Sequence, residues 1–477
     1  MDFASATFSP HGLGPAFVGM TGKDVFLKTL RSLYVYGKTP PRGGGGGGGG
    51  GGASAASALA EAGVSVTLLE TRPTLGGRAG SLRDGVTRQD VDNGQHAFLG
   101  AYKETKKFLA RLGVLKRVRF EKTLHLSLVD GTGETSVLKS LFPGTAGLLT
   151  GLLLLKALSI KDKIFLTWGL VRARSTSPRD LEKKTVADWL TTIRQTAGAR
   201  RIFWHPLCLA TLNEEPDRAG ARFLWTVLHR GLFKNQKTRA LGYATMPLGR
   251  LWSVEFLQYL QKQDGRVAFS KTATGFETQG DRVTAVRVEG ENPVDADVFV
   301  LAGCLESALA IAPAPVRTPS LLKNQDHTPI CSVNLWFSKS PFSETCWGLL
   351  GLTFQWLYNR EALWGKGAQG QVTALVSAAR GLTTKSSKEL IALALSDLRR
   401  AFPSFTEEPS HASVIWERKA TPSATPDFFK NRPSGKTDLH NFFFAGDWVK
   451  TDLPPTLEAA CESGHRAAKM ALHYLSM

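Results

Sequence analysis

Cysteine is scarce in this chain of 477 residues: Cys208, Cys304, Cys331, Cys346 and Cys461 are odd in number, widely scattered and never in a C-x-x-C spacing. That pattern argues against a disulfide framework or a zinc site and fits a reducing compartment. Ligand-spaced histidines are missing too, since none of the ten stands four residues from another, and no metal is expected. Uninterrupted apolar runs stop short of the ~18 residues that cross a membrane. The nearest, Leu141 to Lys156 followed by Ile164 to Val171, is broken by glycines and by Lys156. It reads as helices that line an apolar cavity or dip into a membrane face. Acidic residues are in deficit, 41 against 59 basic ones, for a net charge of +18. No basic cluster is interleaved with aromatics, so no nucleic-acid partner is expected. Attraction to anionic lipid headgroups is the better-motivated reading. Residues 1–42 are polar and lack the apolar core of a signal peptide, and they are expected to be a disordered tail. A composition of 42% hydrophobic and 21% charged residues suits two or three domains at this length.

What the chain does have, to excess, is glycine at one place. Ten consecutive glycines, Gly43 to Gly52, run into an alanine-rich segment that reads as a helix ending at Gly63. Val64 to Leu69 then reads as a strand with Glu70 at its end. Glycine loop, helix, strand and closing acid together describe a dinucleotide-binding βαβ unit. Counting back from the helix sets the G-x-G-x-x-G register at Gly47, Gly49 and Gly52. These serve the tight turn, the close approach of a pyrophosphate and the close packing of the helix, whose positive N-terminus faces phosphate. In a run of ten glycines any register fits, so the helix, the strand and Glu70 carry the assignment. Glu70 is the ribose-binding candidate. The first strand of the unit is not evident. Gly43 to Gly46 is expected to fill its place through main-chain bonds alone, at roughly 0.5–1 kcal/mol per glycine relative to alanine. The apolar stretch Leu33 to Tyr36 is a substitute, but it lies far upstream for a tight turn.

Three more segments belong with this unit. Thr71 to Ser81 contains Gly76-Gly77-Arg78, a loop suited to fold back over a diphosphate, with Arg78 as a bidentate contact. Val91 to His96 is a polar turn between apolar segments and contributes Gly94, Gln95 and His96. Near the other end, Asn441 to Trp448 is a buried-strand pattern that breaks at Ala445-Gly446-Asp447. It is followed by Leu453-Pro-Pro455-Thr456, which opens a helix with small residues on one face. Asp447 sits where a ribityl hydroxyl can be held.

These segments resemble the FAD-dependent amine-oxidase and phytoene-desaturase superfamily. The resemblance is carried by GGRA at Gly76 to Ala79, DNGQH at Asp92 to His96, and AGDW followed by LPPTLEAACESG. Internal segments, Phe203 to Asn213, Leu248 to Leu251, Ser332 to Phe337, Phe354 to Leu357 and Lys419 to Pro426, are similar to the branch of hydroxysqualene dehydroxylases, also called squalene-associated FAD-dependent desaturases. The likeness runs from about residue 43 to the C-terminus. It departs from the family pattern at the missing apolar strand and at His205, where an acid usually follows the tryptophan.

The resemblance implies an α/β fold, a Rossmann-like FAD-binding domain assembled from discontinuous segments with an α+β substrate domain. The FAD segments are 43–125, 240–303 and 436–477; the substrate domain takes 126–239 (helical) and 304–435 (sheet). By the same resemblance the backbone near Ala273 touches adenine. FAD is the expected cofactor, held by the glycines and by Glu70, Gly77, Arg78, Gly94, Gln95, Gly446, Asp447, Pro455 and Thr456. Trp336 and Trp356 are expected to wall an apolar tunnel, and Trp204 and His205 either reach the substrate or belong to the core. His96 is the one nominee for a catalytic acid, with satisfaction of backbone groups as its other reading. The expected activity is reductive removal of the hydroxyl of hydroxysqualene. The alternatives are a carotenoid-type desaturase and a flavin-free relic that keeps the fold as an interaction protein. The expected place is cytoplasmic, against the inner face of the cell membrane, where an apolar isoprenoid substrate dissolves.

Overall fold

The computed structural model describes residues 32–37, 49–140, 144–316 and 326–477, with the main chain alone at 32–37, 144 and 145. Seven elements position the site: β1 (Ser32–Gly37), α1 (Gly50–Glu61), β2 (Ser65–Glu70), β3 (Arg266–Phe269), β4 (Val298–Ala302), β5 (Phe442–Ala445) and α2 (Leu457–Leu475). The strands form one parallel sheet in the order β3-β2-β1-β4-β5. Both faces are covered, and so Val298-Phe-Val-Leu-Ala302 and Phe442-Phe-Phe-Ala445 are buried at every residue. Helices α1 and α2 lie on one face. On the other, an antiparallel layer (Ala273–Gln279, Arg282–Val288, Val294–Asp295) puts the Phe276 ring 4.9 Å from Phe442 and 6.0 Å from Phe299.

The first strand is the main correction to the sequence reading. The slot beside β2 belongs to Ser32–Gly37, which pairs with β2 from Ser32↔Ser65 to Gly37↔Glu70 and with β4 on its other edge. Gly43 to Gly46 therefore does not take that place, and those residues, with Gly47, lie outside the described ones. Part of the expected tail 1–42 is thus the central strand of the sheet. The physical reason is that chain closure is cheap. Lengthening a connection from four residues to about twelve costs roughly 1 kcal/mol, whereas leucine, tyrosine and valine suit a strand far better than glycine.

A second sheet has seven strands. Its order is His411–Pro422, His327–Trp336, Gln371–Val376, Trp356–Asn359, Cys346–Leu350, His125–Asp130, Thr135–Lys139. One face packs on the helix Ser387–Ala401 through Leu390, Ala394 and Leu398. Strand alternation turns the other face inward, and there Leu126, Leu128, Cys346, Gly348, Leu350, Trp356 and Tyr358 line a cavity. Short helices from residues 144 to 239 close it, around the buried Trp189, Phe203, Leu209 and Leu228.

Candidate active site

The C-terminal ends of β4 and β5 and the N-terminus of α1 meet where the strand order reverses, the usual crevice for a nucleotide in an open parallel sheet. Gly49 caps α1 in extended backbone, and Gly50, Gly51 and Gly52 form its first turn with no acid among them. The first peptide N–H groups of the helix therefore face the cavity, as an anion site requires. Gly51 is a position of close packing. A Cβ on Gly51 would lie 3.1 Å from the Gly446 nitrogen and 3.2 Å from its Cα. Gly50, Gly51 and Gly52 all border the cavity. Across the cradle Gly76, at φ +113°, keeps its turn open, and a Cβ there would meet the Ala79 carbonyl at 3.0 Å. Gly446 N donates to Ser463 Oγ at 2.8 Å, which ties β5 to α2.

Around this cradle lies one continuous cavity of about 510 Å³. It brings together Gly49, Gly52, Gly77, Arg78, Gly94, Gln95, His96, Gly446, Asp447, Pro455, Thr456, His205 and Trp356 from the sequence-derived set. Glu70 is fully buried at the end of β2, level with Gly37, and its carboxylate accepts from Arg72 N at 2.9 Å. Neither Glu70 nor the buried Ala273 borders the cavity, although Lys271 N bonds Glu70 O and brings the two segments close.

Arg78 gains partners within the protein, and three assignments change. Arg78 donates to Asp447 Oδ1 at 2.6 Å and to Ala420 O at 2.9 Å, so each terminal nitrogen makes one bond within the protein. Burial alone would lower its pKa, but the Asp447 carboxylate more than offsets this and holds it above the ordinary arginine value. The pair fastens the Gly76–Ala79 loop to the end of β5. His96 borders the cavity, but burial lowers its imidazole to about 4, against the opposing pull of its backbone bond to Arg78. At neutral pH it carries no proton to give as an imidazolium. Trp204 is core: its indole donates to Gln195 Oε1 at 2.6 Å and packs edge-on to Trp189 and Phe203. Trp336 shares a strand with the cavity-lining Ile330 but lies six residues on, roughly 20 Å along it. There it donates to Gln89 Oε1 at 2.8 Å and packs on His411.

The structure also adds residues. Arg360, 1% exposed, lies 3.4 Å from Asp92 Oδ2, bonds Gln95 Oε1 and donates to Thr373 Oγ1 at 3.0 Å. Asp92 in turn accepts from Ser81 Oγ at 2.6 Å and Leu248 N at 3.0 Å. This buried network sets the Gly94–His96 turn. Beside it Cys346, Tyr243 and Tyr358 pack together, and all three line the cavity. Further round the wall, His205 Nε2 meets Glu215 Oε2 at 2.7 Å. Its neighbour Glu214 is fully buried and held by Arg380 at 2.5 and 2.9 Å. The alternation Cys346-x-Gly348-x-Leu350 and Trp356-x-Tyr358 was the available signal for the first cluster; the arginine partners left none.

A nucleotide-shaped cradle continuous with an apolar cavity fits a flavin dinucleotide. The glycines leave room for backbone approach, α1 offers N–H groups to phosphate, and Glu70 ends β2. The sequence matches the model of the flavin containing amine oxidoreductases over residues 51–472. The chain belongs to that family. It is an FAD-dependent oxidoreductase. It is 26% identical to the hydroxysqualene dehydroxylase of Zymomonas mobilis, over 87% of this chain and 95% of that one. It is 24% identical to the zeta-carotene desaturase of a Synechocystis species, over 87% of this chain and 94% of the relative. Among solved structures, wild-type putrescine oxidase bound to putrescine superposes with a TM-score of 0.70 at 16% identity, over 93% of this chain and 99% of that one, a likeness of fold.

Proposed function

We propose that the protein removes the hydroxyl of hydroxysqualene reductively to give squalene, as a step of hopanoid-type isoprenoid metabolism at the inner face of the cell membrane. The observation that carries this reading is the cavity. It joins the nucleotide cradle to a wall built mainly of leucine, with Ile202, Phe203, Ile330 and Trp356, a lining for a hydrocarbon chain. The dehydroxylase relatives, matched over nearly their whole length, support the choice of substrate. When bound, reduced FAD supplies the hydride that replaces the hydroxyl, which leaves with one proton as water. The chain's own residues hold the apolar tail, exclude bulk water and hold the hydroxyl. Burial raises the pKa values of Tyr243 and Tyr358 and raises that of Cys346 to about 12. All three therefore keep their protons at neutral pH, and the two tyrosine hydroxyls can donate hydrogen bonds to the departing oxygen. Neutral His96 can orient but not protonate. Among the described residues no helix is long and apolar enough to cross a membrane, and peripheral attachment is the form of membrane association consistent with that.

A second reading follows from the zeta-carotene desaturase relatives, matched over a similar share of the chain. There the same cavity would hold a polyene, with hydride leaving the substrate. The test is to photoreduce the bound FAD without oxygen, add hydroxysqualene, and follow flavin spectrum and lipid product together. The expected result is one squalene formed per flavin reoxidised. A reduced enzyme that stays inert, beside an oxidised enzyme that bleaches with phytoene, would establish the desaturase and overturn the dehydroxylase.

A further inference from the structure

The helix Ile160–Ser175 is apolar on two opposite sides. Its inner side is Leu166, Leu170 and Ala173, all buried. Its outer side is Ile160, Ile164, Trp168 and Val171, exposed by 77%, 61%, 52% and 56%. At about 100° per residue these four fall in an arc of roughly 80°. Lys161 and Arg172 border that stripe on one side and Lys163 and Arg174 on the other. The single acid of the helix, Asp162, is turned away and accepts hydrogen bonds from Ser159 Oγ and Thr196 Oγ1, both at 2.6 Å. The Arg172 guanidinium sits 5.9 Å over the Trp168 ring. Beside it a surface groove runs between Ile164, Phe165, Trp168 and the exposed Arg194. The preceding segment adds Leu153 and Leu154, exposed by 48% and 65%, while the next residue, Leu155, lines the cavity. Six of the eleven exposed large apolar side chains among the described residues lie between 153 and 171, so the exposure is concentrated here and not scattered.

We infer that this face is the surface by which the protein docks onto an anionic lipid bilayer, with the stripe immersed among the acyl chains and the four bases at the headgroups. An apolar stripe edged on both sides by lysine and arginine, with a tryptophan inside it, is complementary to that boundary. A second copy of the chain is a poor occupant, because it would bring another +18 charge against this one. Because the cavity-lining Leu155 directly follows the exposed Leu154, the same face is the way in for an apolar substrate; this rests on the function proposed above.

The experiment is flotation of the holoenzyme with vesicles of phosphatidylcholine alone and of phosphatidylcholine mixed with phosphatidylglycerol, without substrate. Binding is expected to the anionic vesicles and at least tenfold weaker to the neutral ones. The variant I164S/W168S/V171S is expected to lose at least tenfold in partitioning without a lower melting temperature. Acyl chains carrying bromine should quench part of the wild-type fluorescence, and W168F should abolish that part. For delivery, the triple variant should show a raised KM with substrate in vesicles and an unchanged kcat with substrate in detergent. Partitioning unchanged in the triple variant, quenching unchanged in W168F, or a wild-type dimer that the variant dissolves would each overturn the inference. Vesicle binding without squalene formation would instead count against the proposed reaction and leave the docking face standing.

Discussion

Substituting Gly464 by alanine tests whether the cradle depends on how closely α1 and α2 approach. A Cβ at this position would fall on Gly51 O and Ser54 Oγ and lie 3.1 Å from Ala55 N, so most of what it meets is main chain that no rotamer change can clear. Two opposing effects decide the sign. Alanine is favoured over glycine inside a helix by about 1 kcal/mol. Overpacking costs about 1–3 kcal/mol and belongs at the top of that range when the obstacle is backbone. The net loss is roughly 2 kcal/mol, which lowers the melting temperature by a few degrees in a chain of this size. Because Gly51 is in the first turn of α1, pushing the helices apart also moves the N–H groups that face the cradle. The apoprotein should therefore melt lower and the holoprotein should release FAD more readily, read by thermal melting and by flavin absorbance after gel filtration. Gly381→Ala is the control. Nothing lies within 4 Å of a Cβ there and its φ is not positive, so it should be neutral or stabilising by about 0.4–1 kcal/mol. A Gly464→Ala protein as stable and as yellow as the wild type would refute the argument.

Val35→Pro removes a main-chain donor from the strand that pairs with both β2 and β4, and a central strand does not tolerate that loss. The variant is expected to retain no FAD, whereas valine substitutions at Gly43 and Gly44 are expected to leave retention unchanged. Asp447→Ala leaves the Arg78 guanidinium without its carboxylate and is expected to cost roughly 2–4 kcal/mol in denaturant unfolding. Adding Arg78→Met should recover part of that, and a purely additive double variant would show the pair to be uncoupled. His96 sits at about 4 in the fold against about 6.5 unfolded. Its contribution is complete above pH 6.5 and is lost as pH falls from there towards 4, by at most about 3 kcal/mol. His96→Gln should flatten the stability–pH curve in that window, and an unchanged slope would mean that His96 is not held neutral.

Much of the cofactor cradle was legible because its parts are local patterns. The α1 helix, the β2 strand and Glu70 follow one another between Gly50 and Glu70, and Ala445-Gly446-Asp447 announces a buried strand ending at a site. Helical and strand periodicity act over such distances, so residue order alone determined them, and with them the α/β class. The first strand could not be settled in that way, because pairing depends on register with β2 and β4, which lies in those strands and not in the tight turn the motif suggests. Tertiary structure alone also decided which aromatics see the cavity. Trp204, Trp336 and Trp356 are alike as residues, yet only Trp356 lines it, because the other two indoles found partners in Gln195 and Gln89. The Arg78–Asp447 pair joins residues 369 positions apart and Arg360–Asp92 joins residues 268 apart. Buried charges take whatever opposite charge the packing brings within reach, and that is a property of the assembled layers.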